Sequence, residues 1–133
     1  MISHNQKTIS KSIKLNGIGL HNGTNVNLVI KPAKENSGIN FCRTDIGNDE
    51  LVSANFKNVV DPVLCTKIKN KNGTTVSTVE HLMAAFFGEG IDNALVEVNA
   101  SEIPILDGSA SEFVEAIRSA GIVDQEASRK FIK

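Results

Sequence analysis

Between Thr75 and Val79 the spacing of apolar residues changes from every second position to every third or fourth, and this change restricts the folds open to the chain. Upstream, Ile13 and Leu15, then Val26, Leu28 and Ile30, recur at period two between turn residues, as half-buried strands require. Downstream, Val79, Leu82, Met83 and Phe86 recur at i, i+3, i+4 and i+7, the stripe of an amphipathic helix that ends near Gly88 or Gly90. Residues 91–98 read as another strand. A second helix follows, with Phe113, Val114 and Ile117 as its buried side and Gly121 as its stop. Strands, helix, strand, helix in that order predict an α+β two-layer sandwich, a mixed β-sheet with both helices packed on one face.

Shorter signals fill in the path. Asn22-Gly23 suits a tight hairpin because both residues tolerate positive φ, and Pro32 ends the strand after it. Further strands are expected at 39–42, 56–60 and 63–68, with a turn at Asn72-Gly73. Ser77 with Glu80, and Ser109 with Glu112, fit capping boxes for the two helices. The first ten residues are polar, and the tail 124–133 is charged until Phe131-Ile132, which reads as the start of another strand.

A chain of 133 residues fits one domain, expected over 1–133, with a core large enough to need no disulfide or metal for folding. Its 14 Lys and Arg against 15 Asp and Glu leave a net charge of −1, which gives no field for phosphate backbones, so nucleic acid is excluded as a partner. No window reaches the 18 apolar residues of a transmembrane segment, and the N-terminus has no apolar signal core; a cytoplasmic location is expected. Two cysteines, Cys42 and Cys65, give no disulfide scaffold and are read as reduced thiols. With six Phe and neither Trp nor Tyr, a stand-alone carbohydrate-binding module is disfavoured, because aromatic platforms are few.

The chemistry centres on Glu80 and His81. At 100° per residue they point roughly 90 to 160° away from the centre of the apolar stripe, beside Ala84 and Ala85, where a solvated face would carry charged residues. That side is therefore expected to be covered. Glu80 reads either as a capping carboxylate or as a general base; His81 reads either as a boundary imidazole or as a zinc ligand, zinc acidifying a water for a neighbouring carboxylate to deprotonate. A structural zinc site is disfavoured, since paired-ligand spacing is missing. His21 reads as a hairpin-tip histidine, Cys65 as a small buried hydrophobe, and Asp107 as a turn and cap residue. Gly17-Ile18-Gly19 lacks the third glycine and the following helix of a nucleotide loop.

Taken together, Gly17-Ile18-Gly19-Leu20-His21-Asn22-Gly23, Phe41-Cys42-Arg43-Thr44-Asp45, Ser77-Thr78-Val79-Glu80-His81-Leu82, Gly90-Ile91-Asp92-Asn93-Ala94 and Glu102-Ile103-Pro104-Ile105-Leu106-Asp107-Gly108-Ser109-Ala110 resemble the UDP-3-O-acyl-N-acetylglucosamine deacetylases of lipid A biosynthesis. The resemblance implies a cytoplasmic zinc amidase of two similar α+β domains with the active site between them. By motif, His81 is similar to the zinc-binding histidine of the first domain and Glu80 to the general base. His21 is similar to a histidine at the active-site edge, and Leu64, Cys65 and Thr66 to a segment near the acyl and sugar path. The family's remaining zinc ligands, its amine-protonating His and its oxyanion-stabilising Thr belong to a second domain that this sequence lacks. The resemblance therefore implies an N-terminal half, inactive by itself, whose partners are the UDP-sugar substrate and that second domain.

Two other expectations compete: a non-catalytic module that binds the UDP-sugar or a partner enzyme, and a homodimer formed through the Ala84, Ala85 face.

Overall fold

The computed structural model describes residues 4–21, 23–46, 51–54, 59–60 and 67–129. The alternation at Val26, Leu28 and Ile30 becomes β3 (Asn25–Pro32), with those three side chains buried and the residues between them more open. β2 (Ile13–Ile18) pairs with it antiparallel, Leu15 opposite Leu28. On the other side of β3 lies β9 (Ala94–Val98), also antiparallel, with Leu28 opposite Val98. β4 (Ile39–Arg43) runs parallel to β9, and β5 (Leu51–Ser53) antiparallel to β4. The resulting order β2-β3-β9-β4-β5 is a mixed sheet, as the element order predicts.

A parallel pair needs a long crossover. Between β4 and β9 the chain forms a small antiparallel sheet of β6 (Val59–Val60), β7 (Lys67–Lys69) and β8 (Thr75–Ser77), then α1 (Glu80–Glu89). Of the expected strands at 56–60 and 63–68, only these parts are described; Phe56 and residues 63–66 lie outside the described residues. α2 (Ser111–Ala120) follows β9. Leu82, Ala85 and Phe86 of α1 and Phe113 and Ile117 of α2 share one buried cluster with Val26, Leu28, Ile30, Phe41, Val96 and Val98. Each Val, Leu, Ile or Phe side chain among them contributes about 1.5–3 kcal/mol relative to leaving it exposed. The fold is α+β, with both helices on the core face of the sheet.

Two strands that the apolar spacing does not announce lie at the ends of the described chain: β1 (Asn5–Ile9) and β10 (Ile122–Ser128) pair antiparallel, Ile9 opposite Ile122. Side-chain amides hold this ribbon. Gln6 Nε2 donates to Asn36 Oδ1 at 2.7 Å and to the Ser128 carbonyl at 2.9 Å, and Asn93 Nδ2 donates to Gln6 Oε1 at 2.9 Å and Gln125 Oε1 at 2.7 Å. Satisfied amides can be buried where apolar side chains are absent, so hydrophobic alternation gives no warning of these strands.

Neither capping box forms. Thr78 has φ +62°, outside the helical region, so α1 starts two residues later than a Ser77 cap requires and its N-cap is Val79. The N-cap of α2 is Ala110, while the Ser109 hydroxyl donates to Asp107 Oδ1 at 2.9 Å. The β2–β3 loop is wider than a two-residue hairpin: Gly19 N–H donates to the Thr24 carbonyl and Gly23 N–H to the Gly19 carbonyl, with Gly23 at φ +66°. Gly121 ends α2 as expected, at φ +89°.

Candidate functional site

Glu80 and His81 are the first two residues of α1, and what fixes them is the way the chain enters that helix. Ser77 ends β8 with its N–H donated to the Ser101 carbonyl at 2.8 Å and its carbonyl accepting Ile103 N–H at 3.0 Å. Residues 101–106 thus form a strap beside the helix entrance. Thr78, between strand and helix, is buried in a left-handed conformation that costs a β-branched residue on the order of 1–3 kcal/mol. Its Oγ1 is buried without a hydrogen-bond partner. The main chain is therefore hydrogen-bonded on both sides of Ser77, just before Glu80 and His81 begin the helix.

The other edge of the same strap carries the β2–β3 loop. Ile105 N–H donates to the Ile18 carbonyl at 3.0 Å, and Gly19 bridges Pro104. A Cβ on Gly17 would stand 2.9 Å from both Pro104 Cβ and Leu106 Cδ2, and one on Gly19 would stand 2.8 Å from Glu102 Cδ. The two glycines exist for this close approach, which accounts for a Gly-x-Gly with no nucleotide loop around it. The Glu102 carboxylate, 2% exposed, accepts the His21 backbone N–H at 3.0 and 3.2 Å. His21 and the Glu80-His81 pair are thereby tied to one strap, although His21 and Glu80 lie 59 positions apart in the sequence.

Seen down α1, Glu80, His81, Ala84, Phe87 and Gly88 fall in one arc of about 120°. Glu80 and His81 are half-buried, Ala84 and Gly88 exposed, and Phe87 is 89% exposed. The expected small apolar face is corrected in one respect: Ala85 is fully buried in the core, and the open face carries Phe87 instead. Phe87 was legible, since it stands about 90° from the centre of the Val79, Leu82, Met83, Phe86 stripe, on the side of Glu80 and His81. Leu64, Cys65 and Thr66 lie outside the described residues. Cys42 is a half-buried thiol on β4. Asp107 builds the turn before α2, and the Ser109 hydroxyl and N–H and the Ser111 hydroxyl hold its carboxyl below the usual range.

A tetrahedral zinc with an open catalytic position needs three protein ligands. Among the described residues no group of three His, Cys, Asp or Glu side chains could hold a metal. His81 can fill one position, and the described residues do not close a site around it. No helix among them is long and apolar enough to cross a membrane.

Residues 6–133 match the family described as UDP-3-O-acyl N-acetylglycosamine deacetylase. Proteins named UDP-3-O-acyl-N-acetylglucosamine deacetylase are similar over 128 residues, with 49% identity in Pasteurella multocida and in Actinobacillus succinogenes and 48% in Histophilus somni. Each match covers 96% of this chain and 42% of the relative, so the chain spans about two fifths of the length of these relatives.

Proposed function

Because the chain belongs to the UDP-3-O-acyl N-acetylglycosamine deacetylase family, we propose that it supplies the first half of an active site that removes acetate from UDP-3-O-acyl-N-acetylglucosamine, a step of lipid A biosynthesis. The observation that carries the reading is the strap, which anchors the Glu80-His81 helix entrance on one edge and the His21 loop on the other.

In this reading the Glu80 carboxylate accepts the proton of the water that attacks the acetamide carbonyl. His81 presents one imidazole to zinc; when bound, zinc supplies Lewis acidity toward that water and the carbonyl. His21 stands at the rim, where the loop meets the substrate, and Leu64, Cys65 and Thr66 border the acyl and sugar path. The nitrogen leaves as the amine, protonated by a group outside this chain, and acetate is released. The exposed arc of Ala84, Phe87 and Gly88 faces the second domain, which brings the remaining zinc ligands. The isolated chain is accordingly inactive, and the complete enzyme works in the cytoplasm.

Zinc titration tests this assignment. The chain alone is expected to bind zinc weakly, and the chain mixed with the C-terminal part of the Pasteurella multocida relative to bind one zinc tightly, a signal lost in His81→Ala. Tight binding by His81→Ala in the mixture would remove His81 from the site. Saturable binding of the UDP-sugar by a mixture that releases no acetate would favour the binding-module reading instead.

A further inference from the structure

Glu102 has no part in the chemistry above, yet it is the one ionisable group among the buried polar side chains of the described residues. A carboxylate is taken out of water at a cost of several kcal/mol unless hydrogen bonds compensate it. Of the other buried polar residues, Gln6, Thr8 and Asn93 belong to the amide clasp under β1 and β10. Glu102 instead faces the β2–β3 loop, where both its oxygens receive the N–H of His21, a residue whose own side chain is exposed. The loop is shaped to meet it, since Gly19 leaves no Cβ where the Glu102 carboxyl lies. The main chain on either side of Glu102 is meanwhile hydrogen-bonded to Ser77, three residues before Glu80.

We propose that Glu102 is a positioning residue for His21: its buried carboxylate fixes the tip of the β2–β3 loop, and so sets where the His21 imidazole stands relative to Glu80 and His81. The proposal rests on the deacetylase reading for the role of His21, and on the strap geometry alone for the anchoring itself.

Two measurements test it. In the 133-residue chain, amide hydrogen exchange is followed across residues 19–24 in the parent, Glu102→Ala and Glu102→Gln. Loss of the acceptor is expected to speed exchange at His21 by about tenfold, while Glu102→Gln, which keeps one carbonyl oxygen, retains most of the protection. Unchanged protection in Glu102→Ala overturns the proposal. In the chain completed by the C-terminal part of the Pasteurella multocida relative, Glu102→Ala is expected to lower kcat/KM by about ten- to a hundredfold with zinc content unchanged. The same change added to His21→Ala should cost less than about twofold, because the residue acts through His21. An equal loss in both backgrounds would show that Glu102 supports the fold generally, and also overturns it. Should the completed parent protein release no acetate, the deacetylase reading fails, and the exchange measurement still decides whether Glu102 anchors His21.

Discussion

The carboxylate of Glu102 receives the backbone N–H of His21 at 3.0 and 3.2 Å, across 81 residues of sequence. Through that contact, and through the main-chain bonds from the same segment to Ser77, the glycine-rich loop and the entrance of α1 share one support. Rigid support of this kind lets two half-exposed side chains act at a defined place, since positional errors near 1 Å can cost about a hundredfold in rate.

The support depends on glycine. Gly19→Ala places a methyl 2.8 Å from Glu102 Cδ and is expected to lower stability by about 1–3 kcal/mol in urea unfolding. Gly88→Ala, on the open side of α1 where a Cβ meets nothing within 4 Å, is expected to raise it by about 0.5–1 kcal/mol.

Thr78→Val keeps the side-chain shape and removes a buried hydroxyl that has no partner. Urea unfolding should show a gain of about 1 kcal/mol, and a loss would mean that the hydroxyl is satisfied in solution.

The paired phenylalanines of α1 separate core from open face. Phe86→Ala is expected to cost about 3–5 kcal/mol, whereas Phe87→Ala should change stability by less than about 0.5 kcal/mol. Thermal unfolding of the two variants distinguishes them.

The Arg43 guanidinium hydrogen-bonds Asp45 at 2.7 and 2.8 Å and holds its carboxyl below the ordinary 3.8, while Nη1 donates to the Thr75 carbonyl. A lowered folded-state value means stabilisation that is complete above 3.8 and fades as the pH falls through the folded value. Asp45→Asn should therefore cost about 0.2–1 kcal/mol at pH 7, the range of an exposed pair, and less at pH 2. Urea midpoints at the two pH values check the sign.

Much of this was legible in sequence because it is written in apolar spacing. The period-two runs at Ile13 and Val26 and the helical stripe from Val79 to Phe86 place the sheet and α1 without any contact being known. The glycine at 121 marks the end of α2 for a local steric reason. β1 and β10 escaped because Gln6, Asn93 and Gln125 stabilise them through long-range amide bonds, which leave no periodic trace. The capping box at Ser77 misled because Thr78 adopts positive φ, a tertiary strain that no local motif encodes, and the one at Ser109 because that hydroxyl bonds Asp107 instead. Glu80 and His81 could be placed on the side of α1 away from the core, but neither apolar spacing nor a local motif assigns Glu102 a role. Its importance lies in a contact with a backbone N–H 81 positions away.

The most direct measurement is acetate release from UDP-3-O-acyl-N-acetylglucosamine by this chain, by the C-terminal part of the Pasteurella multocida relative, and by their mixture, with and without Glu80→Gln. Activity is expected in the mixture alone, reduced about a hundred- to ten-thousandfold by Glu80→Gln, as for removal of a general base. Full activity of the chain by itself, or a mixture indifferent to Glu80→Gln, would contradict the proposed function.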